Sequence, residues 1–124
     1  MIYVITDTHG TDLLDVPTDC TTLIHLGDYE TGLLPDCYKI LVRGNHDNKD
    51  SEEEFDLVVD GLMLDHIWFT HEPAFSLPLG AHYNAHGHLH ENNYQDYGYI
   101  NKPFHIRLTP HVFYNLPELC DRMK

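Results

Sequence analysis

The sequence is poor in cysteine and has no long apolar run. Its three cysteines, Cys20, Cys37 and Cys120, are an odd number without a close Cys-X-X-Cys pair, which argues against a disulfide framework or a thiolate zinc knuckle. We therefore expect free thiols in a reducing compartment. No stretch approaches the roughly 20 apolar residues that a membrane-spanning helix requires, and the chain opens on a strand-like segment instead of a secretory leader. These absences predict a cytoplasmic protein with no membrane partner.

Positive charge is scarce as well. Seven Lys and Arg residues stand against twenty Asp and Glu residues, which gives a formal net charge of −13. Extended binding to nucleic acid normally depends on many cationic contacts, so we expect none here. The length of 124 residues and the 42% hydrophobic content predict one domain over residues 1–124. The oligomeric state stays open.

Short apolar and β-branched segments predict strands over 2–6, 21–26 and 38–42, each followed by a polar block. From residue 55 the pattern is again mostly β, with further strands expected over 56–60, 62–70, 83–88, 97–101, 104–108 and 111–114. Short helices are expected within 10–20, after a capping box of Ser51 and Glu54, and from Pro117 to about residue 123. The expected fold class is α/β, with two facing β-sheets in a β-sandwich that is flanked by short helices.

Five polar blocks follow one another in an order that can build a two-metal site. They supply carboxylate oxygen, amide oxygen and imidazole nitrogen, a mixture suited to borderline divalent ions, and no cysteine is among them. We expect two ions, with Mn favoured and Fe, Ni, Co or Zn also possible. The blocks are Asp7-Thr8-His9, Gly27-Asp28, Gly44-Asn45-His46-Asp47, His71 and Gly87-His88-Leu89-His90.

The spacing within the blocks indicates distinct roles. Asp7 and His9 are two residues apart, so both project to one side if strand geometry persists, and one ion can take both. Asp28 has two oxygens and is the best bridging candidate. His46 follows Asn45 directly, so it would point elsewhere and contact the substrate, and Asp47 could fix its tautomer.

The set resembles the calcineurin-like metallophosphoesterase superfamily, whose motifs run D-x-H, G-D, G-N-H-[DE], H and G-H-x-H. All five occur in order between residues 2 and 90, and the chain would be a small member without a cap. The resemblance implies that Asp28 is shared between two ligand sets: Asp7, His9, Asp28 and His90 for one ion, and Asp28, Asn45, His71 and His88 for the other. His46 would contact the substrate phosphate and assist the leaving group, with Asp47 supporting it. A hydroxide bridging the ions would attack a small phosphate ester.

Two departures from the superfamily pattern shape the expected substrate. Only 15 residues separate Asp28 from Gly44, which predicts a shortened helical layer in an otherwise metallophosphoesterase-like fold. The G-D-x-x-D-R-G block of protein phosphatases is absent, since the chain reads Gly27-Asp28-Tyr29-Glu30-Thr31-Gly32-Leu33. Phosphodiesterase is favoured over phosphomonoesterase, because no cap or cationic cluster is present to hold a dianionic phosphate.

Two alternatives stay open. One is a non-catalytic metal-binding scaffold of the same fold, although a scaffold has no use for a leaving-group acid such as His46. The other is a metal-dependent nuclease, which the charge of −13 disfavours. Five other histidines are expected to be structural or on the surface: His25 and His66, which lie within strands close to the motifs, and His82, His105 and His111, which have no motif partner.

Overall fold

The computed structural model describes residues 1–44, 47–87 and 103–122. Within these ranges the chain forms two short helices, α1 (Lys49–Glu52) and α2 (Leu116–Arg122). The strands are β1 (Ile2–Ile5), β2 (Thr22–His25), β3 (Tyr38–Val42), β4 (Leu57–Val59), β5 (Leu62–Leu64), β6 (Ile67–Thr70), β7 (Tyr83–His86), β8 (His105–Arg107) and β9 (Tyr114–Asn115).

The first sheet has the strand order β4-β3-β2-β1-β9. Strands β1 to β4 are parallel, and β9 pairs antiparallel with β1. The register places Val4 opposite Ile24 and Ile24 opposite Ile40. Because parallel strands end at a common edge, the residues that follow β1, β2 and β3 are brought together there.

The second sheet has the order β5-β6-β7-β8. Strands β6, β7 and β8 are parallel, and β5 pairs antiparallel with β6. The single strand expected over 62–70 is therefore two strands. The chain reverses at Asp65 and His66, which both adopt left-handed backbone angles, with φ of 48° and 66°.

The main hydrophobic cluster draws side chains from both sheets. Val4 and Ile24 of the first sheet and Phe69 of the second are completely buried, and Leu119 of α2 packs into the same cluster. Each such side chain contributes roughly 1.5–3 kcal/mol when it is removed from water. The core thus holds the ends of β1, β2 and β6 in fixed relative positions.

The expected fold class is wrong. In the described part of the chain the structure is mostly small β-sheets arranged as in a β-solenoid, with only about 10% helix, and this conflicts with an α/β sandwich flanked by helices. The connections over 6–21 and 26–37 contain no helix. Each connection contains a proline, Pro17 in the first and Pro35 in the second, which disfavours a continuous helix. Neither connection has an apolar periodicity long enough for a helix that could cover a sheet.

The local expectations had mixed outcomes. No helix forms within 10–20. Asn48, not Ser51, caps α1, because the Ser51 backbone N–H donates to Asn48 Oδ1 at 2.9 Å. The C-terminal helix with Pro117 in its first turn is confirmed. The cysteines are free thiols, as expected. No helix in the described part of the chain is long and apolar enough to cross a membrane.

Candidate metal centre

The loops after β1 and β2 run side by side beyond the ends of the strands. The Asp7 backbone N–H donates to the Gly27 carbonyl at 3.0 Å, and the His9 N–H donates to the Asp28 carbonyl at 2.9 Å. Asp7, His9 and Asp28 all adopt left-handed angles, with φ of 54°, 45° and 57°. Non-glycine residues rarely adopt this conformation, and it concentrates at functional sites. Here it occurs in the two loops that carry the first predicted ligands.

Three predicted ligands form one buried group. Asp7, Asp28 and His71 each offer a ligand atom, and these atoms lie within 4.8 Å of one another. The Nε2 atom of His71 is 3.2 Å from Oδ2 of Asp28, and the two side chains are 6% and 2% exposed. Burying two carboxylates together is unfavourable unless positive charge compensates them. The group therefore has the composition and the burial of a cation site.

His9 lies at the open side of this group. Its Nε2 atom is 3.8 Å from Asp7 Oδ1 and 4.0 Å from Asp28 Oδ2, and its side chain is 39% exposed. Asp7 and His9 are thus close to each other, as expected, but the extended strand geometry that was expected to bring them together is not the cause. The extended geometry ends at Ile5, and the left-handed turns at Asp7 and His9 direct both side chains to the same place.

Three of these ligands, Asp7, His71 and His9, have a partner that orients them. The Thr6 hydroxyl donates to Asp7 Oδ2 at 2.6 Å. The Nδ1–H of His71 donates to the Leu26 carbonyl at 2.7 Å, which leaves Nε2 directed at the cluster. Glu30 Oε2 lies 3.4 Å from His9 Nδ1. Metal-binding histidines commonly use their second nitrogen in this way, so the arrangement fits a metal ion.

Asp47 fastens the loop that carries Asp28. Its Oδ2 accepts the backbone N–H groups of Asp28 and Gly44, both at 2.9 Å. Its Oδ1 accepts those of Tyr29 at 2.8 Å and Glu30 at 3.1 Å. The predicted role of Asp47 was to support His46, which lies outside the described residues. In the described structure both oxygens of Asp47 hold the backbone around Asp28.

The motif glycines allow close approach of the backbone to the ligands. A Cβ on Gly44 would lie 2.4 Å from the Asp28 nitrogen and 2.6 Å from Asp28 Oδ1. A Cβ on Gly87 would lie 2.9 Å from Asp7 Oδ2. Real Cβ atoms do not approach other atoms so closely, so only glycine fits at these positions without displacing a ligand.

The charges of the cluster control the protonation of His71. Burial by itself would lower the pKa of His71, but the hydrogen bond to Asp28 and the charges of Asp28 and Asp7 raise it to about 9. The imidazole is therefore a cation at neutral pH when no metal is present. A divalent ion would take the place of this proton, because only neutral imidazole binds a metal.

The structure brings together four of the predicted site residues, Asp7, His9, Asp28 and His71, and places Asp47 beside them. The other four, Asn45, His46, His88 and His90, lie outside the described residues, so their roles stay predictions. Thr6, Glu30 and His25 also contact this site, and sequence reasoning did not assign them to it. Adjacency to a ligand block was the one signal available for Thr6 and Glu30.

Comparison with known proteins identifies no family. No protein-family profile and no curated protein matches the chain. The structure is similar to the crystal structure of the protein of unknown function AQ665 from Aquifex aeolicus, with a TM-score of 0.53 and 24% sequence identity. The match covers 78% of this chain and 85% of the other. At this identity the similarity concerns the fold alone.

Proposed function

We propose that this protein is a metal-dependent phosphoesterase that hydrolyses a small phosphate ester, with a diester favoured over a monoester. The observation that supports this most is the buried group of Asp7, Asp28 and His71. These residues come from three separate motif blocks of the resemblance to calcineurin-like metallophosphoesterases. Fold class plays no part in this support, because the expected α/β sandwich is wrong.

The proposed centre holds two divalent ions, with Mn favoured. Asp28 would serve both ions, Asp7 and His9 would bind one, and His71 would bind the other. Asn45, His88 and His90 stay as predicted ligands. When bound, the ions would supply positive charge to the phosphate oxygens and make water a better nucleophile at neutral pH.

The chain's own residues would orient the metal ligands and supply a proton to the leaving group. Thr6 and the Leu26 carbonyl hold Asp7 and His71 in their orientations. Asp47 holds the Asp28 loop by its backbone. His46 is the proposed donor of a proton to the departing oxygen. Hydrolysis of a diester consumes one water and releases a monoester and an alcohol.

The surroundings of His71 favour a substrate with little negative charge. A cleft of about 230 Å³ borders His71 and is lined by Arg43, Asp60, Thr70 and Glu72. Arg43 Nε lies 2.6 Å from Glu52, and its Nη1 lies 3.0 Å from Asp60. Since two carboxylates already compensate this cation, it is poorly suited to hold a dianionic monoester. A small diester therefore suits the cleft better. We also propose a cytoplasmic location for the enzyme.

A substrate panel tests the proposed activity. The protein loaded with Mn, Ni, Fe or Zn should hydrolyse nitrophenyl and alkyl phosphodiesters, and monoesters more slowly. Asp28→Asn should remove turnover. His46→Ala should lower turnover on alkyl esters by roughly 10²–10⁴-fold while both ions stay bound, and the variant His82→Ala, at an exposed histidine, serves as the matched histidine control.

The outcomes separate the alternatives. Tight binding of two ions without turnover of any ester would contradict the proposal and support the non-catalytic scaffold. Turnover confined to oligonucleotides would support the nuclease. Full activity of His46→Ala on an alkyl ester would show that His46 is not the leaving-group acid.

A further inference from the structure

His25, the last residue of β2, is a completely buried polar side chain with a partner on each ring nitrogen. The backbone N–H of Gly27 donates to Nδ1 at 3.1 Å. Because a backbone N–H can only donate, Nδ1 must be the acceptor, and the ring proton of neutral His25 is on Nε2. Nε2 therefore donates to the Thr8 hydroxyl at 2.8 Å.

The two partners of His25 belong to different ligand loops. Thr8 lies between Asp7 and His9, and Gly27 directly precedes Asp28. The imidazole ring is thus a bridge between the two backbone segments that carry three of the described ligands. Thr8 is itself completely buried, so bulk water cannot reach its hydroxyl and take the place of the His25 ring.

The packing around His25 holds the ring in place. The rings of Tyr29 and Phe55 meet it edge-on, with centroid distances of 5.6 Å and 6.2 Å. Burial, followed by the charge of His71, lowers the pKa of His25 to about 3. The neutral ring is therefore the form present at ordinary pH, and it has the one donor and one acceptor that the bridge needs.

We infer that His25 is a positioning residue of the metal centre, and that its bridge from Thr8 to Gly27 sets the spacing between Asp7 and Asp28. This inference rests on the proposed function, because it requires that the cluster binds metal. Loss of a group that orients metal ligands typically weakens affinity about 10–100-fold. The sequence motifs do not include His25, because its partners are a hydroxyl and a backbone N–H.

The experiment compares Mn affinity and stability in matched variants. His25→Leu removes both polar contacts, and Thr8→Val removes the hydroxyl while it preserves the shape of the side chain. His25→Gln keeps one acceptor and one donor. Ile24→Val alters a buried neighbour in the same strand without touching the bridge. Calorimetric titration with Mn measures Kd for each protein, Mn electron paramagnetic resonance reports the ligand geometry, and urea unfolding in EDTA measures metal-free stability.

His25→Leu and Thr8→Val should each raise the Kd for Mn about 10–100-fold and alter the resonance spectrum. The double variant should bind Mn no more weakly than the weaker-binding single variant, because both substitutions break the same bridge. His25→Gln should recover most of the affinity. Ile24→Val should lose stability with an unchanged Kd.

Several results would overturn the inference. One is a Kd for Mn in folded Thr8→Val that equals the wild-type Kd. This comparison remains informative even if His25→Leu does not fold. Another is a Kd for His25→Gln as weak as that of His25→Leu, which would assign the effect to packing of the ring. Absence of Mn binding by the wild-type protein is a different failure, since it would overturn the proposed function itself.

Discussion

The Nε2 atom of His71 lies 3.2 Å from Oδ2 of Asp28, although strands β3 to β6 separate the two residues along the chain. Asp28 follows β2 in the first sheet, and His71 follows β6 in the second. The shared core between these sheets holds the two side chains in contact. This contact brings a loop of each sheet to the buried group of Asp7, Asp28 and His71, and it supports the proposed metal centre between the sheets.

Replacing Asp28 tests whether this residue joins two metal sites. Wild-type protein loaded with Mn should retain two ions per chain, about 3.5–4 Å apart. Asp28→Asn preserves size but removes the charge and the bridging capacity, so we expect less than one retained ion. Elemental analysis after gel filtration measures the stoichiometry, with Asp65→Asn in the β5–β6 turn as the control. Two retained ions in Asp28→Asn would contradict the bridging role.

Gly44→Ala tests the tight contact between the third block and Asp28. The added Cβ would lie 2.4 Å from the Asp28 nitrogen, so the loop must move and carry the carboxylate with it. We expect the Kd for Mn to rise at least about tenfold and the free energy of unfolding to fall by about 1–3 kcal/mol. Gly80→Ala is the control for Mn affinity, because its Cβ would meet no atom within 4 Å, while its φ of 94° makes alanine strained there and excludes it as a control for stability. Equal Kd values for the two variants would show that the contact does not position Asp28.

Asp47→Asn tests the fastening of the Asp28 loop. An amide offers one acceptor oxygen, so it cannot accept the four backbone N–H groups that the two carboxylate oxygens accept. We expect the free energy of unfolding in EDTA to fall by about 3 kcal/mol, as measured by urea unfolding. Asp50→Asn, in the exposed first turn of α1, should change stability by less than about 0.5 kcal/mol. A stability loss in Asp47→Asn no larger than in Asp50→Asn would show that the Asp47 carboxylate does not stabilise the Asp28 loop.

The raised pKa of His71 predicts how metal-free stability depends on pH. The pKa of about 9 in the folded protein lies above the ordinary value of 6.5, so folding favours the protonated ring. This stabilising contribution is complete below about pH 6.5 and is lost as the pH rises through about 9. Urea unfolding in EDTA at about pH 6, 7.5 and 9 should therefore show falling stability, and His71→Gln should show a weaker fall. An identical pH profile in His71→Gln would contradict the assignment.

The same pKa predicts proton release on metal binding. At about pH 7.5 metal-free His71 is protonated, and an ion must displace that proton to reach Nε2. Titration of Mn in buffers of different ionisation enthalpy should show close to one proton released from this group. His71→Gln should release correspondingly fewer, and equal release from both proteins would assign the proton to another residue.

Much of the local structure could be predicted from the sequence. The strand over Tyr38–Val42 and the helix that begins near Pro117 follow from short-range apolar pattern and proline placement, which neighbouring residues determine. The residue types of the proposed metal centre could also be read from the sequence, since the order of carboxylates, imidazoles and glycines is a linear signal. These features depend on few long-range contacts.

Only the tertiary structure decided the rest. The sequence did not predict that the connections over 6–21 and 26–37 lack helices, because backbone hydrogen bonds between the two connections, such as Leu13 N–H to the Leu33 carbonyl at 2.9 Å, hold them, and local pattern does not encode these long-range bonds. The left-handed turns at Asp7 and Asp28 exist because backbone bonds between two loops and the Asp47 carboxylate hold them. The sequence by itself thus determined which donor groups the chain has, and the packing of two sheets decided that Asp7, Asp28 and His71 meet, because only long-range contacts can repay the cost of burying their charges together.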